Sequence, residues 1–473
     1  MKIANKTVLV TTLFLSGCMV GPDYERPQVE TPAAFREAAG WQPAEPRDAA
    51  ARGQWWTVFG DAQLDGLVAQ VNVSNQTLAA AEAQLRQAAA LAEQTRAGFF
   101  PTLTGGIQYT RSQPSSTTGP IVGAATSKRT IYSLPFNASW EVDLWGKVRR
   151  AVEQGSAAEQ ASAADLVNAR LSVQSELAQN YFQLRALDAQ KQLLGATVAA
   201  YAKTLELTEN RYTVGVVSRA DIAQAQTQLQ ATRAQLLDLG VQRAQLEHAI
   251  AVLLGKPASS FSIAPTPLVA VPPHLPPRVP PGLPADLLER RPDIAAAERR
   301  MAAANAQIGV ARAAFFPAAT LGASYGFQTA AYDRWFTVPS RFWSLGPALA
   351  LTLFDGGRRA AVSDQALAAY DQSVASYRNV VLGAFRDVED NLAALRILEE
   401  EAAIQAEAVK AAEHSLEISL NQYKAGIVTY LQVVQAQTAA LANQRAAADV
   451  LARRVGASVL LVKALGGGWE TKQ

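Results

Sequence analysis

The strongest constraint on what this chain can fold into is that it repeats itself. Asn75 to Pro101 aligns with Arg291 to Pro317 at an offset of 216, with identities at Ala79, Ala80, Ala81, Glu82, Ala88, Ala90, Arg96, Ala97, Phe99, Phe100 and Pro101. Alanine inflates such a match, but Arg-Ala-x-Phe-Phe-Pro does not depend on it. Asn210-Arg-Tyr-Thr-Val-Gly-Val-Val-Ser218 matches Asn421-Gln-Tyr-Lys-Ala-Gly-Ile-Val-Thr429 at an offset of 211, and Gln224 to Thr227 matches Gln435 to Thr438 at the same offset. The chain is two copies of one unit. Between them, Pro257 to Pro292 holds eleven of the 23 prolines, a composition that favours extended segments and forbids a continuous helix.

Each copy reads as helix, two strands, long helix, turn, helix. Ala, Gln, Leu, Arg and Glu dominate Leu78 to Ala97 and Ile294 to Ala314, and each run stops at a Phe-Phe-Pro. Alternation of period two follows: Tyr132, Leu134, Phe136, Ala138, Trp140, Val142 and Leu144 are apolar, with Ser133, Asn137, Ser139, Glu141 and Asp143 between them. The pattern predicts strands at about 101–111, 131–144, 318–328 and 342–354. Each is near the 9 to 11 residues, roughly, that a tilted strand needs to cross a bilayer. Aromatics gather near the strand ends (Trp140, Trp145, Trp335, Phe336, Phe342, Trp343, Phe354), as in an interfacial girdle.

The remainder of each copy is free of proline, from Phe136 to Lys256 and from Ala348 to Gln473. Lys147 to Arg211 alone is 65 residues of strong helix formers, an uninterrupted helix of about 97 Å. Leu166, Val173, Leu177, Tyr181, Leu184 and Leu187, and in the second copy Leu382, Phe385, Val388, Leu392, Leu395 and Leu398, keep the spacing of an apolar stripe. Gly215 and Gly426 then reverse each long helix into a partner, Ile222 to Leu254 and Leu431 to Leu465. Both turns are expected at one end, opposite the strands.

At the start of the chain, Lys2 and Lys6 flank a short apolar core from Val8 to Leu15, which runs into Leu15-Ser16-Gly17-Cys18. The core is too short to span a bilayer, where about 20 apolar residues are needed, and the motif resembles a bacterial lipoprotein signal. Residues 1–17 are then removed and Cys18 becomes an N-terminus carrying a diacylglycerol and an N-acyl chain. Met19 stands where an Asp would signal inner-membrane retention in such lipoproteins, which points to the outer membrane. No later run is long enough for a transmembrane helix, so a mature chain that crosses a membrane must do so as a β-barrel. Four strands leave two unpaired edges that cannot exist in lipid, so the chain must oligomerise. Two copies would give eight strands around a filled interior, three would give twelve around a lumen, and periodicity alone does not choose.

Composition removes several function classes. The formal net charge is +2 with no long basic run, which leaves a nucleic-acid surface without an electrostatic footprint. A single Cys excludes an intrachain disulfide, and His248, His274 and His414 are scattered, so no metal spacing is present. No nucleophile and base are paired and no Gly-rich phosphate loop follows a strand, so the chain does not read as an enzyme and no cofactor is expected.

Taken in order along the chain, Cys18-Met-Val-Gly-Pro-Asp-Tyr-Glu-Arg-Pro27, Trp55-Trp56 with Phe59 and Leu64, Leu288-Glu-Arg-Arg-Pro-Asp-Ile294 and Phe354-Asp-Gly-Gly-Arg358 resemble the TolC-type outer membrane factors, closest to the NodT-like, OprM-like efflux lipoprotein branch. The resemblance implies an α+β membrane protein. It would be a homotrimer with a shared 12-stranded outer-membrane barrel, four strands per chain, a long periplasmic helical barrel and a mixed equatorial domain. The segments would be the signal (1–17), an equatorial N-terminal segment (18–74), repeat 1 (75–256), the Pro-rich linker (257–290), repeat 2 (291–465) and a tail (466–473).

The same resemblance implies partners and site residues. Tip residues Tyr212, Gly215, Val216 and Ser218, with Tyr423, Gly426, Ile427 and Thr429, would meet a periplasmic adaptor protein that links the channel to an inner-membrane pump of the RND type. Leu431 matches a hydrophobic constriction of the periplasmic gate. Gln435 stands where some relatives carry an Asp, and Asp221 could add charge at the other tip. Gly146, Gly356 and Gly357 sit where strand becomes helix, a swivel that needs permissive backbone. Arg149, Arg150, Arg358 and Arg359 follow, at the interface, in the lumen or simply solvated. The expected function is a passive exit duct of a tripartite efflux system. A type I secretion duct and a lipid-anchored periplasmic scaffold without a pore are the alternatives.

Overall fold

The structure is a computed structural model and describes residues 19–27, 31–32, 34–37, 54–115, 127–268 and 290–467. The lipidation residue Cys18, the signal and linker residues 269–289 lie outside the described residues. The elements run α1 (Ala62–Ser74), α2 (Gln76–Arg96), β1 (Thr102–Gly105), β2 (Gln108–Ser112), β3 (Arg129–Val142), α3 (Lys147–Thr213) and α4 (Arg219–Leu253). The second copy follows as α5 (Pro292–Ala313), β4 (Ala318–Thr329), β5 (Arg341–Ala350), α6 (Arg358–Lys424) and α7 (Tyr430–Ala464). The repeat survives in the lengths. α3 and α6 each hold 67 residues, and α4 and α7 each hold 35. A helix of that length rises about 100 Å at ~1.5 Å per residue. No helix among the described residues is long and apolar enough to cross a membrane.

All the strands form one antiparallel sheet in the order β1/β2, β3, β4, β5. β1 and β2 keep a single register along one edge of β3, from Thr102 opposite Ser139 to Ser112 opposite Arg129. The gap at Gly106 and Ile107 has a cause in the partner strand. Pro135 lies opposite and has no N–H to donate into the ladder, while its carbonyl still accepts from the Gly106 N–H at 3.1 Å. The fourth strand, expected to reach 354, ends at Ala350. Its partner β4 begins at Ala318, which pairs with Ala350, so nothing remains for residues 351–354 to bond.

The ladder sorts side chains onto two faces. Tyr132, Leu134, Phe136, Ala138, Trp140 and Val142 share a face with Phe327, Tyr325, Ala323 and Leu321 of β4 and with Trp343, Leu345 and Leu349 of β5. The opposite face carries Ser133, Asn137, Ser139 and Glu141 against Gln328, Ser324, Gly322 and Thr320. Apolar side chains on the first face are open: Trp343 is 76% exposed and Leu349 73%. Among the described residues of one chain the outer edges of β1/β2 and of β5 have no strand beside them.

The structure groups residues differently from the repeat boundaries. One compact unit draws on residues 1–28, 84–163 and 296–377 and contains the whole sheet; the other draws on 29–83, 164–295 and 378–473. Each combines both repeats, and in the first unit β3 of one repeat pairs with β4 of the other. In the second unit the stripe Val173, Leu177, Tyr181 and Leu184 is buried, as are Phe385, Val388, Leu392, Leu395 and Leu398. Leu166 and Leu187 are half-buried, and Leu382 is exposed, with Val381 taking its place in the stripe. The motif Trp55-Trp56 is core, with the Trp55 indole N–H donating to Gln174 Oε1 at 3.1 Å. Pro292 opens α5, and Arg291 before it reaches Asp293, Asp387 and the Ala464 carbonyl, which gives the Arg-Pro-Asp motif a structural cause.

Both long helices begin with the same device. Asp143 accepts from the Val148 and Arg149 N–H groups and pairs with Arg149; Asp355 accepts from Gly357 and Arg359 and pairs with Arg359. Arg149 and Arg359 are thus cap partners. Arg150 is different, because its side chain is only 1% exposed. It bonds the carbonyls of Val20 and Gly21 and pairs with Asp23 at 2.7 Å and with Glu153 at 2.8 Å. The residues just after Cys18 are therefore strapped down. Val20 N–H donates to Trp145 O, Asn305 bonds the Pro22 carbonyl, and Gly21 sits on Gly309, where a Cβ would come within 2.6 Å of Cα.

Gly309 leaves the space that Arg150 fills, since a Cβ there would lie 2.7 Å from Arg150 Cγ. Gly309→Val should cost about 1–3 kcal/mol by overpacking and should free the strap for proteolysis. Gly66→Ala, with open space around it, should be neutral or slightly stabilising. Thermal unfolding of both variants in detergent checks the contrast.

Candidate functional site

The two helix reversals, expected at one end, meet in one cluster. Ala225, Tyr423, Tyr430 and Val433 are buried together, with Leu205, Leu207, Val217, Leu420, Val428 and Val434 packed around them. Each turn closes in the same way. The Gly215 N–H bonds the Tyr212 carbonyl and Val216 N–H the Arg211 carbonyl, both at 2.9 Å; Gly426 and Ile427 repeat this on Tyr423 and Gln422. This is a Schellman closure, and it requires the left-handed φ of +77° that both glycines adopt.

Beyond the glycines the copies diverge. Ser218 and Asp221 form a reciprocal capping box, with Asp221 Oδ2 accepting from the Ser218 N–H and hydroxyl at 2.8 Å each. The Asp221 carboxylate is thereby engaged at the start of α4. Thr429, the counterpart of Ser218, makes no side-chain cap. Tyr212 is 43% exposed, whereas Tyr423 is 1% exposed. Tyr423 therefore has no face for an adaptor, which corrects its assignment as a contact residue. Its hydroxyl lies 3.1 Å from Thr208 Oγ1, and its ring stands edge-on to Tyr430 at 5.7 Å.

Arg211 ties the two turns together, and sequence reasoning missed it. Its guanidinium lies 4.7 Å from the centre of the Tyr423 ring and donates to the carbonyls of Tyr423 and Lys424, the last turn of α6. A cation there complements the negative end of the helix dipole. The aligned residue in the second copy is Gln422, so this latch is built once; that Arg-for-Gln difference was the available signal. The remaining tip residues are open, with Val214 72%, Val216 59% and Ile427 73% exposed. Leu431 and Gln435, four apart on α7, are both exposed on one side of that helix. The glycines between strand and helix have φ of +79° (Gly146), +63° (Gly356) and +88° (Gly357). Gly146 is constrained twice, because a Cβ there would meet the Met19 side chain at 2.5 Å.

Among the described residues no cluster of His, Cys, Asp or Glu could hold a metal. What the site offers is a pair of rigid turns with an apolar, water-exposed crest.

The profile of the family described as outer membrane efflux protein matches residues 67–256 and 283–467, one stretch in each repeat. The chain belongs to that family. It is 32% identical over 474 residues to the pyoverdine export outer membrane protein OpmQ of Pseudomonas aeruginosa, covering all of this chain and 98% of the relative. It is 31% identical to the toluene efflux pump outer membrane protein TtgF of Pseudomonas putida, covering 98% of this chain and 96% of the relative. The solved structure of the outer-membrane channel OprN superimposes with a TM-score of 0.88 and 29% identity over 96% of this chain and all of that one. The fold is that of the TolC-like outer membrane channels, and the chain is an outer membrane efflux channel protein rather than a member of an enzyme family.

Tyr423→Ala should destabilise the tip by about 3–5 kcal/mol through the cavity it leaves, and Tyr423→Phe by only about 0.5–1.5 kcal/mol through the lost hydroxyl bond, as read from urea unfolding. The Tyr430 hydroxyl is pushed up to about 12 by burial, then by Tyr423, Tyr201 and Asp221, from an ordinary value near 10. A raised folded value means stability complete below pH 10 and lost as pH climbs from 10 towards 12. Tyr430→Phe should flatten that alkaline limb in stability measured against pH.

Proposed function

We propose that three copies close their sheets into one 12-stranded barrel, with the long helices forming a periplasmic helical barrel. The whole acts as the passive exit duct of a tripartite efflux system. The observation that carries this is the sheet itself: a ribbon with one apolar and one polar face whose two edges lack partners among the described residues. Ring closure by further copies satisfies both edges, turns the apolar face to lipid and turns the polar face to a lumen. Twelve strands leave that lumen open, as eight would not.

The lipid chains on Cys18 would enter the membrane beside the strand-to-helix junction, since the next residues, Met19 and Val20, are seated against Gly146 and Trp145. Tyr212, Val216, Ile427 and the backbone of Gly215 and Gly426 form the crest that an adaptor would cover, with Ser218 and Thr429 at its rim. Leu431 and Gln435 would line the closed end of the pore, a neutral ring where some relatives place acid. Energy and substrate choice belong to the inner-membrane pump and its adaptor. Pyoverdine and toluene, the solutes for which two relatives are named, differ so much in chemistry that a duct selecting little fits both.

The test is antibiotic and dye susceptibility of a strain lacking this protein, complemented by wild type or by Cys18→Ala behind a cleavable secretory signal. Hypersensitivity rescued by wild type is expected, and rescue by the unlipidated form would show that the barrel holds the protein in the membrane. Purified protein should conduct sodium in planar bilayers, with Leu431→Ser raising the conductance several-fold. A protein that never conducts would instead be a lipid-anchored scaffold. A conducting protein whose loss impairs export of a protein, and of no small molecule, would be a secretion duct.

A further inference from the structure

We infer that Arg111 and Arg341 form a binding site for the phosphate groups of an outer-leaflet glycolipid. This rests on the channel reading above, in which the loop ends of the strands face outward. β2 ends at Ser112, β3 starts at Arg129, and the β4 to β5 connection is residues 330–340, so these loops share the strand ends that do not lead into helices.

The two arginines lie on the apolar face. Arg111 is opposite Thr130 and stands two residues beyond Tyr109, which is opposite Tyr132; Arg341 is opposite Phe327. Between them runs a continuous aromatic group: Tyr109 to Tyr132 at 5.2 Å, Tyr132 to Trp335 at 5.5 Å, Trp335 stacked on Phe336 at 5.2 Å, and Phe336 to Phe327 at 5.6 Å. An aromatic band ending in cations is the profile of a bilayer's headgroup layer, with rings at the hydrocarbon boundary and charge one step further out.

The charge balance is lopsided here. From Arg111 to Thr130 and from Thr329 to Arg341 the chain carries Arg111, Lys128, Arg129, Arg334 and Arg341 against Asp333 alone. That is a local excess of four in a chain whose formal net charge is +2. Among the described residues no carboxylate pairs with any of these five cations. Arg111 and Arg341 are exposed, and the planar guanidinium grips a phosphate through two bonds at once. Arg129 lies on the polar face instead, and with Lys128 it borders an open concavity of about 470 Å³ that also touches Pro114, Ser127, Thr130 and Ala330. That pair would meet an anionic solute at the mouth of the duct. Closing the ring would bring the β5 edge of one copy, with Arg341, beside the β2 edge of the next, with Arg111, so each seam would carry one phosphate site.

The experiment titrates purified full-length protein in neutral detergent with fluorescent diphosphoryl lipid A and with the same lipid stripped of phosphate. Arg111→Gln/Arg341→Gln should weaken binding of the phosphorylated lipid by about fivefold for each arginine removed, and the phosphate-free lipid should bind wild type and variant alike. Arg111→Lys/Arg341→Lys keeps the charge but loses the two-bond grip and should recover part of the affinity, which separates lost charge from a misfolded rim. Unchanged affinity in the Gln variant overturns the inference. So does equal binding of the two lipids, or a loss confined to Lys128→Gln/Arg129→Gln, which would move the anion to the mouth. Planar-bilayer conductance on the same samples keeps the readings apart. A conducting protein indifferent to phosphate overturns this inference alone, and a non-conducting one that binds no lipid overturns the channel reading with it.

Discussion

The rest of the structure depends on unmet hydrogen bonding at two strand edges. An N–H or C=O left unpaired in hydrocarbon costs several kcal/mol, so two open edges would exceed the whole stability of an ordinary domain, about 5–15 kcal/mol. The ribbon β1/β2, β3, β4, β5 is too narrow to close on itself, and its faces are too unlike to be buried against one another. Further copies of the same chain remove both difficulties at once. The duplication within the chain serves the same end, because each copy contributes one hairpin and three helices, and the hairpins join through β3 and β4.

Passing from ribbon to helix is the second physical problem, and both repeats solve it with an acid cap and left-handed glycines. Asp143 and Asp355 collect the first free N–H groups of α3 and α6, while Gly146, Gly356 and Gly357 take the turn that a side chain would resist. The first repeat adds a task absent from the second. Its junction receives the strap behind Cys18, held by a buried guanidinium whose charge is met by Asp23 and Glu153. At the other reversal, Arg211 fastens one turn to the last carbonyls of α6, adding a polar latch to the buried cluster in which the two turns meet.

Local pattern made much of this legible. Period-two alternation located β3 and β4, the absence of proline marked the long helices, and the glycines announced both reversals and both strand-to-helix junctions. What stayed hidden depended on partners distant in sequence. Tyr212 and Tyr423 occupy equivalent places in the repeat, yet one is open and the other buried, because Tyr423 packs in the cluster with Tyr430 and Val433 and has Arg211 over its ring. Leu382 and Val381 are adjacent apolar residues, and which faces inward depends on the helix neighbours rather than on hydropathy. The early end of β5 was set by where β4 begins, and the gap between β1 and β2 by a proline on another strand. Arg150 looked like one more helix-start cation until the strap lay across it.

Amide hydrogen exchange of the protein reconstituted in bilayers tests the central claim most directly. If copies close the sheet, amides along β5 and β1/β2 should be protected as strongly as those of the central strands β3 and β4. Fast exchange confined to the β5 and β1/β2 edges, with β3 and β4 protected, would mean that the edges stay unpaired and would contradict the account.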